Sequence, residues 1–564
     1  MAMNAEIIPY HWESFEKWDK DYQTQLDVYE RLLDELAKQL NQIHQLNRSL
    51  RYWRILIGPW LGYFISVLFD RWEMIKRAVE NYDLTSSIVL QQKAEDYVAN
   101  DMNEFVKFIG DDEWNHHIYA TILQQFTTVS CIERACKGAA VVQKAAPAFP
   151  LKKRLKQTVV SGYMRAASRF VRDQDAFLIL TYLPSLQEMK MHWRLGQFPQ
   201  LWRTVPPVRV AVDWRQRDWG ITTGNHRSDF EKFALALIPK QIPRLYLEGY
   251  AQLIEQASNL PWPKRPQAIF TSNVLWHDTV SMAYTAEKVE YGVPLVYGQH
   301  GGGPGALKNY WAERHETQIC DRFISWGWDD PANKKVIPVG IFKLMGRERR
   351  QVLNRQLALF VLGSGPRHSW LFVPAVLSMT SLIAEGHRFV DCLPSMVRQQ
   401  LLVRFYPENY GWDEPMRWSN AFPDVRYDDG STSIYRLIDE SRVFIYSYNS
   451  TGYLETFAMD VPTIIFWDER YHAVRDSADP YFEDLKRVGI FHETPESAAR
   501  HLAAIWDDVD AWWKSAPVRD VLQRFTERYC RRPDDMFDRV EAALREVIVE
   551  SKNGRPTMAG LSSS

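Results

Sequence analysis

Apolar residues in the first 170 positions recur at helical spacing. Leu26, Tyr29, Leu33, Leu36, Leu40 and Ile43 step by three and four, which lines them up on one face of a helix. The stripe spans fewer than three heptads, so it predicts an ordinary amphipathic helix rather than a coiled coil. The most apolar run, Ile55–Phe69, is 15 residues long, contains Pro59 and is bounded by Arg54 and Asp70. A spanning helix needs ~20 residues. This run therefore predicts a buried core helix, with monotopic membrane contact as the alternative. Ala139–Pro150 is small-residue and proline-containing and reads as a connector. Lys152, Lys153, Arg154 and Lys156 follow it and predict a solvated helix face, or else contact with anionic lipid headgroups.

From residue 176 the period shortens. Strand-like runs at Phe177–Leu180, Val208–Val212, Ala268–Thr271, Pro294–Tyr297 and Arg322–Ser325 alternate with helices at Gly249–Leu260 and Val274–Tyr291. Continuous apolar strands separated by helices predict a parallel sheet covered on both faces. After the basic stretch Phe342–Arg350 a second series begins. Its strands are Leu357–Leu362, Leu402–Tyr406, Val425–Tyr427, Val443–Tyr446 and Thr463–Phe466. Its helices are expected near Val373–Ala384, Ser433–Glu440, Gly452–Met459 and Pro495–Trp506. The predicted class is α/β, with two successive Rossmann-type doubly wound units. Residues 1–170 are a mainly helical region packed on the first unit, 171–345 that unit, 346–550 the second unit with terminal helices, and 551–564 a disordered tail. Ligands of such sheets bind beyond the carboxyl ends of the strands, which directs attention to the residues that follow strands.

Composition narrows the class. The 564 residues carry 68 basic and 70 acidic side chains, a net charge of −2, which favours neither a nucleic-acid binder nor a strongly acidic protein. Five scattered cysteines, Cys131, Cys136, Cys320, Cys392 and Cys530, predict reduced thiols in a cytoplasmic protein, not a disulfide framework or zinc site. The first residues show no basic and then apolar leader. Aromatics are abundant, with 22 Trp, 26 Tyr and 27 Phe. Such side chains suit wet sugar clefts, although packed cores use them more often. Trp276, Trp311, Trp326, Trp328, Trp412 and Trp467 lie beside the motifs below and are the candidates for cleft roles.

Four loops carry candidate chemistry. Gln299, His300, Gly301 and Gly302 open a glycine-rich loop directly after PLVY; its backbone can approach an anion or sugar closely. His300 is a candidate general base, or a donor to a phosphate, against a structural histidine in a tight turn. Asn449, Ser450 and Thr451 precede the helix GYLETFAM, a ready anion site, and Glu455 can hold vicinal ribose hydroxyls. The local alternative makes Gly452 the N-cap and Glu455 its N3 partner. Arg404 and Tyr406 end a strand, where Arg404 can reach a phosphate with its planar fork. Gly363, Ser364 and Gly365 let the first loop of the second unit approach a ligand. In the first unit, His277 and Asp278 follow AIFTSN and Asp213 follows VRVAV; strand-end carboxylates can serve as base or nucleophile, with an N-cap role for Asp278 as the alternative. Asp508 and Asp510 form a DxD in a helical context and are not read as a metal site; no metal is expected.

The segments YGQHGGGPGALK, ERHETQICDRFISWGW, RFYPENYGWDE and YNSTGYLETFAMDVPTIIFWD, with RYWRILIGPWLGYF near the N-terminus, resemble the motif series of a bacterial transferase family encoded in surface-polysaccharide and lipopolysaccharide gene clusters. More remotely the layout is similar to GT-B glycosyltransferases, including capsule Kdo transferases. There the N-terminal Rossmann-like domain holds the acceptor and the C-terminal one the nucleotide sugar. That resemblance implies donor binding at Asn449, Ser450, Thr451 and Glu455. Tyr406-Pro407 stands where CMP-sugar enzymes often carry His-Pro, and so departs from their pattern. The QHG element resembles a loop of wall teichoic acid polyol-phosphate transferases, which implies a catalytic role for His300 by analogy.

The expectation is a GT-B glycosyltransferase. It would move a sugar, of nonulosonic or Kdo type from a CMP donor, onto a surface glycan such as lipopolysaccharide O-antigen or capsule. Its partners would be the nucleotide sugar as co-substrate, with no further cofactor, and a glycan or lipid-linked acceptor, with no nucleic acid. The protein would be cytoplasmic, with peripheral contact with the inner membrane left open. The alternatives are a CDP-polyol phosphotransferase, a nucleotide-sugar epimerase of the same fold, and a non-catalytic scaffold of polysaccharide assembly.

Overall fold

The computed structural model describes residues 6–135, 162–163, 166–221, 227–348, 352, 355–370, 372 and 375–554. The Ala139–Pro150 connector, the basic cluster after it and Cys136 lie outside the described residues. The predicted stripe lies on helix α1 (Phe15–His44), with Leu26, Tyr29, Leu33, Leu36 and Leu40 all buried. Ser14 caps that helix by accepting from the Lys17 N–H. The apolar run divides between α2 (Leu50–Leu56) and α3 (Gly58–Asn81), which meet at a bend of 66°. Pro59 sits in the first turn of α3, where its missing N–H leaves no bond unmade. Residues 52–71 are all buried, as a core helix requires. Among the described residues no single helix is long and apolar enough to cross a membrane; only the bent α2–α3 pair passes by composition. The sequence pattern misses a small parallel pair, β1 (Ser86–Gln91) with β2 (Ser130–Ala135), because most of its residues are exposed and only Val89 is buried.

The first unit is a parallel sheet in chain order: β3 (Phe177–Leu178), β4 (Ile269–Thr271), β5 (Leu295–Gly298), β6 (Arg322–Ser325) and β7 (Val336–Pro338). Alternate residues divide between two cores, as the two-residue strand period demands. Phe177, Ile269, Leu295 and Phe323 pack toward the N-terminal helices, while Leu178, Phe270, Val296 and Ile324 share a core with Met191, Leu544 and Val547. Val208–Val212 is a correction: it is extended but outside the sheet. Its backbone bonds to a side chain instead, with Asn100 Nδ2 donating to the Val208 carbonyl (2.9 Å) and Oδ1 accepting from the Val210 N–H (3.1 Å).

The second unit has six parallel strands: β8 (Leu357–Val361), β9 (Leu401–Arg404), β10 (Arg426–Asp428), β11 (Ser441–Tyr446), β12 (Thr463–Phe466) and β13 (Phe491–His492). Their spatial order is β10-β9-β8-β11-β12-β13. This is the Rossmann order, with its topological switch point between β8 and β11. Phe360, Val443 and Ile445 face one core and Leu359, Phe444 and Tyr446 the other. Helices stand at both ends of the chain, as the sequence pattern predicts.

Two placements differ from expectation. The last helix, Met536–Gly554, crosses back to the first unit, where Glu541 and Asp538 pair with Arg194 and Glu550 with Arg322. Ser551–Gly554 thus continue a helix, and the rest of the expected tail lies outside the described residues. The N-terminal helices also grip the second unit. Arg71 donates to the Ser369 carbonyl (2.9 Å), Trp18 Nε1 to that of Phe372 (2.8 Å), and the Phe372 N–H to Ser66 Oγ (2.6 Å).

Candidate functional site

The carboxyl ends of β3, β4 and β5 build one wall. After β3 the chain turns through two non-glycine residues in the left-handed region, Leu180 (φ 45°) and Tyr182 (φ 63°). Each such residue stores ~1–3 kcal/mol of strain. Ser272, following β4, holds this turn, its N–H donating to the Leu180 carbonyl (3.1 Å) and its hydroxyl to that of Thr181 (2.8 Å). Thr181 in turn donates to Glu188, whose carboxyl burial pushes up to about 7.

After β5, Gln299 is 1% exposed. Its Oε1 accepts from the Trp326 N–H (2.8 Å) and Trp328 Nε1 (2.9 Å), and its Nε2 donates to the Gly301 carbonyl (2.8 Å). Gln299 therefore braces the loop from inside and is not a substrate contact, which corrects the sequence reading. His300 follows with its side chain 19% exposed. Burial, and then the charge of Lys343, pull the imidazole down to about 4, so it is a neutral ring at pH 7. Its Nδ1 is buried and lies 3.5 Å from Glu316 Oε1. Glu316 is fully buried on the Trp311–Ile319 helix, accepts from Trp276 Nε1 (2.7 Å), and is pushed well above the usual carboxyl range by that burial. Gly302 touches the second unit: its N–H donates to Thr451 Oγ1 (3.1 Å), and a Cβ there would stand 2.6 Å from the Ser450 carbonyl oxygen.

His277 and Asp278 occupy a break between the 3-10 turn Val274–Trp276 and the helix Thr279–Glu290. Asp278 takes the N-cap alternative, accepting from the Ser281 N–H (2.8 Å). Burial raises its carboxyl and lowers the His277 imidazole. Asp213 ends no sheet strand, since Val208–Val212 is not one. It caps the turn Trp214–Arg217 through Arg215 and bonds Gln216, neither of which belongs to the strand-end loops. That removes the basis for its catalytic assignment.

In the second unit the two loops that flank the switch point meet. The Gly363 position leaves room for the Tyr448 ring, which a Cβ would approach to 2.8 Å. The helix Thr451–Ala458 has Ser450 as N-cap with no side-chain cap hydrogen bond, and its Gly452 N–H donates to the Tyr446 hydroxyl (3.3 Å). Glu455 is then five residues into the helix, and the capping-box alternative is excluded. Two buried donors beside it lack partners, Ser447 Oγ and Asn449 Nδ2, while Asn449 Oδ1 accepts from Tyr453 (2.9 Å). Ser364 donates to Glu414 (2.7 Å), and Trp412 Nε1 donates to the Gly365 carbonyl (2.7 Å). Tyr406 is 42% exposed and stacks on Tyr410. Arg404 is a correction. Its guanidinium pairs with Asp428 and donates to the carbonyls of Thr432 (2.8 Å) and Gly430 (3.0 Å), so it ties down its own loop and offers no free fork to a phosphate.

Lys343 joins the halves, and sequence reasoning read its segment only as a basic stretch before the second series of strands. Its ammonium pairs with Glu455 and lies over the rings of Tyr182 and Trp326 (5.7 and 5.8 Å). An isolated bridge, Leu307 with Val474, ties the far end of the glycine loop to the second unit. Of the motif-side tryptophans, Trp276, Trp311, Trp326, Trp328 and Trp467 are buried, which assigns them to packing and bracing. Asp508 caps the helix Val509–Trp513 and Asp510 pairs with Lys514, as a helical DxD should.

The profile of the LIC12162 family transferases matches residues 2–544. The chain belongs to the LIC12162 transferase family. No curated protein matches the sequence. Among solved structures, it is similar to the wall teichoic acid polymerase TagF soaked with CDPG (10% identity, 72% of this chain and 100% of that one, TM-score 0.34). It is likewise similar to Acinetobacter baumannii MurG (10%, 66% and 99%, TM-score 0.33) and to WaaG, a glycosyltransferase involved in lipopolysaccharide biosynthesis (13%, 66% and 99%, TM-score 0.31). For a LIC12162 family transferase the question is which group moves, and that depends on the site itself.

Proposed function

We propose that this transferase moves a sugar from a nucleotide donor to a glycan or lipid-linked acceptor of a bacterial surface polysaccharide. The donor of choice is a CMP-linked acidic sugar of the nonulosonic or Kdo type. One observation carries the reading: the uncapped helix start at Ser450–Thr451, with the unpartnered donors Ser447 and Asn449, lies at the switch point of a Rossmann-order sheet and directly against the His300 loop. A helix start and unpartnered buried donors suit the phosphate of a nucleotide. Glu455, one turn further on, suits its ribose hydroxyls once Lys343 releases it.

In this reading His300 takes the proton of the acceptor hydroxyl. The acceptor oxygen forms its bond to the anomeric carbon as the bond from that carbon to the donor phosphate breaks. The nucleotide leaves with the electron pair, and the helix start and Lys343 stabilise the departing charge. The nucleotide sugar is the co-substrate and no further cofactor enters. Thermal shift with CMP, CDP, UDP and GDP is the test, and stabilisation by CMP is expected. Stabilisation by none of the four refutes nucleotide-dependent transfer, and a product that gains phosphorus replaces sugar transfer by polyol-phosphate transfer.

A further inference from the structure

We propose that Glu316 is the positioning residue of His300, holding the imidazole through Nδ1 so that Nε2 is the nitrogen offered to the acceptor. The geometry is that of a base with an orienting carboxylate behind it. His300 Nδ1 is enclosed and makes no hydrogen bond, and Glu316 Oε1 lies 3.5 Å from it. Glu316 Oε2 is equally enclosed and unpartnered, while Oε1 is fixed by Trp276 Nε1. A buried Nδ1 without a partner is a costly arrangement, and Glu316 Oε1 is the carboxyl oxygen that approaches it. At 3.5 Å the contact is longer than a strong hydrogen bond; such bonds tighten when substrate closes the site.

Burial penalises each charged form by itself, pulling the His300 imidazole down and pushing the Glu316 carboxyl up. With Glu316 ionised, a ring that takes the acceptor's proton completes a neutral ion pair, so the carboxylate offsets the imidazolium made in the reaction. The other titratable or charged groups facing the pair are Lys343 from the turn Phe342–Leu344, His277 from the break before Thr279, Tyr182 after β3, Tyr297 on β5, Tyr310, Glu313 and Cys320. Lys343 and His277 oppose proton uptake by the ring, and Glu313 raises the Glu316 carboxyl. None of them contacts Nδ1 as Glu316 does.

This inference rests on the role given to His300 under the proposed function, and its test separates the two. The full chain, labelled with ¹⁵N in its histidine rings, is titrated by NMR as wild type, as Glu316→Gln and, for assignment, as His300→Gln. In Glu316→Gln the introduced amide oxygen still accepts from Trp276, but the side chain cannot ionise. The expected result is that the His300 titration moves to lower pH by about 1–3 units in Glu316→Gln. Transfer from CMP-linked sugar then falls about 10²-fold in kcat with the donor KM unchanged, and the acid limb of its pH profile moves down with the ring. If Glu316→Gln does not fold, Glu316→Asp keeps the ionisable group at longer reach; its His300 titration is expected to stay nearer the wild type, and a shift as large as total loss overturns the proposal. An unchanged His300 titration in Glu316→Gln also overturns it. A shifted titration in a chain that binds none of the nucleotides leaves the pair standing and removes the transfer reading instead.

Discussion

Substituting Gly302 by alanine probes the contact between the two loops more cleanly than any change of a polar residue. Gly302 is not in the left-handed region, so the backbone accepts alanine without strain and the cost is wholly steric. The added Cβ would lie 2.6 Å from the Ser450 carbonyl oxygen, 2.8 Å from its carbon and 3.1 Å from Leu454 Cδ1. Ordinary contact is ~3.5 Å, so the loops must part by several tenths of an ångström. Overpacking of this kind costs ~1–3 kcal/mol. The Gly302 N–H to Thr451 hydrogen bond lengthens as the loops part, and its loss adds ~1 kcal/mol. Both Ser450 and Thr451 belong to the expected phosphate site, so nucleotide affinity should fall with stability. Calorimetric unfolding and a CMP titration, each on Gly302→Ala and on Thr451→Val, make the measurement. Thr451→Val removes only the hydrogen bond and should cost about a third as much. If Gly302→Ala unfolds and binds as the wild type does, the loops do not meet as described and the shared site is refuted.

Three further outcomes are expected. Arg404→Ala leaves Asp428 buried without its partner and should cost ~3–5 kcal/mol in urea denaturation; wild-type stability with selectively weakened nucleotide binding would instead restore the phosphate-binding role. For Glu188, burial raises the folded pKa from 4.5 to about 7, so the folded state holds a proton that the unfolded state has lost. Stability should therefore fall as pH rises from about 4.5 to about 7, by up to ~3 kcal/mol, and level off above. Glu188→Gln, whose amide oxygen still accepts from Thr181, should flatten that slope and be the more stable protein at pH 8. A parallel pair of pH–stability curves would show that Glu188 is not the group concerned. Lys343→Ala frees the Glu455 carboxylate and should tighten cytidine binding by up to about fivefold, ~1 kcal/mol; weaker cytidine binding would show that Glu455 does not hold the ribose.

Much of the fold was legible because its strands are short, wholly apolar and separated by helices. Arg322–Ser325 and Thr463–Phe466 were read to the residue. The failures have physical causes. Val208–Val212 alternates as a strand does, yet its backbone bonds to Asn100, a residue more than a hundred positions away that no local pattern reveals. The mostly exposed β1 and β2 carry no buried face to leave a trace. In the site, small residues at strand ends located the glycine loop and the Ser450 helix start. What sequence could not supply was the partner of each polar group. Gln299 and Arg404 have the chemistry of ligand contacts but are saturated from within. Glu316 was written in the motif ERHETQICDRF, and Lys343 in the basic stretch Phe342–Arg350, and only the fold brings them to His300 and Glu455. The aromatic excess was similarly ambiguous in composition, and burial assigns most of the motif-side tryptophans to packing.

The central claim is that a nucleotide sits at the switch point of the second sheet with its phosphate toward the His300 loop. A crystal structure of the full chain with CMP tests it most directly. The account predicts phosphate oxygens on the Thr451 N–H and on Ser447 or Asn449, and ribose hydroxyls on a Glu455 freed from Lys343. CMP bound at another place, or bound here with Glu455 still paired to Lys343, would contradict it.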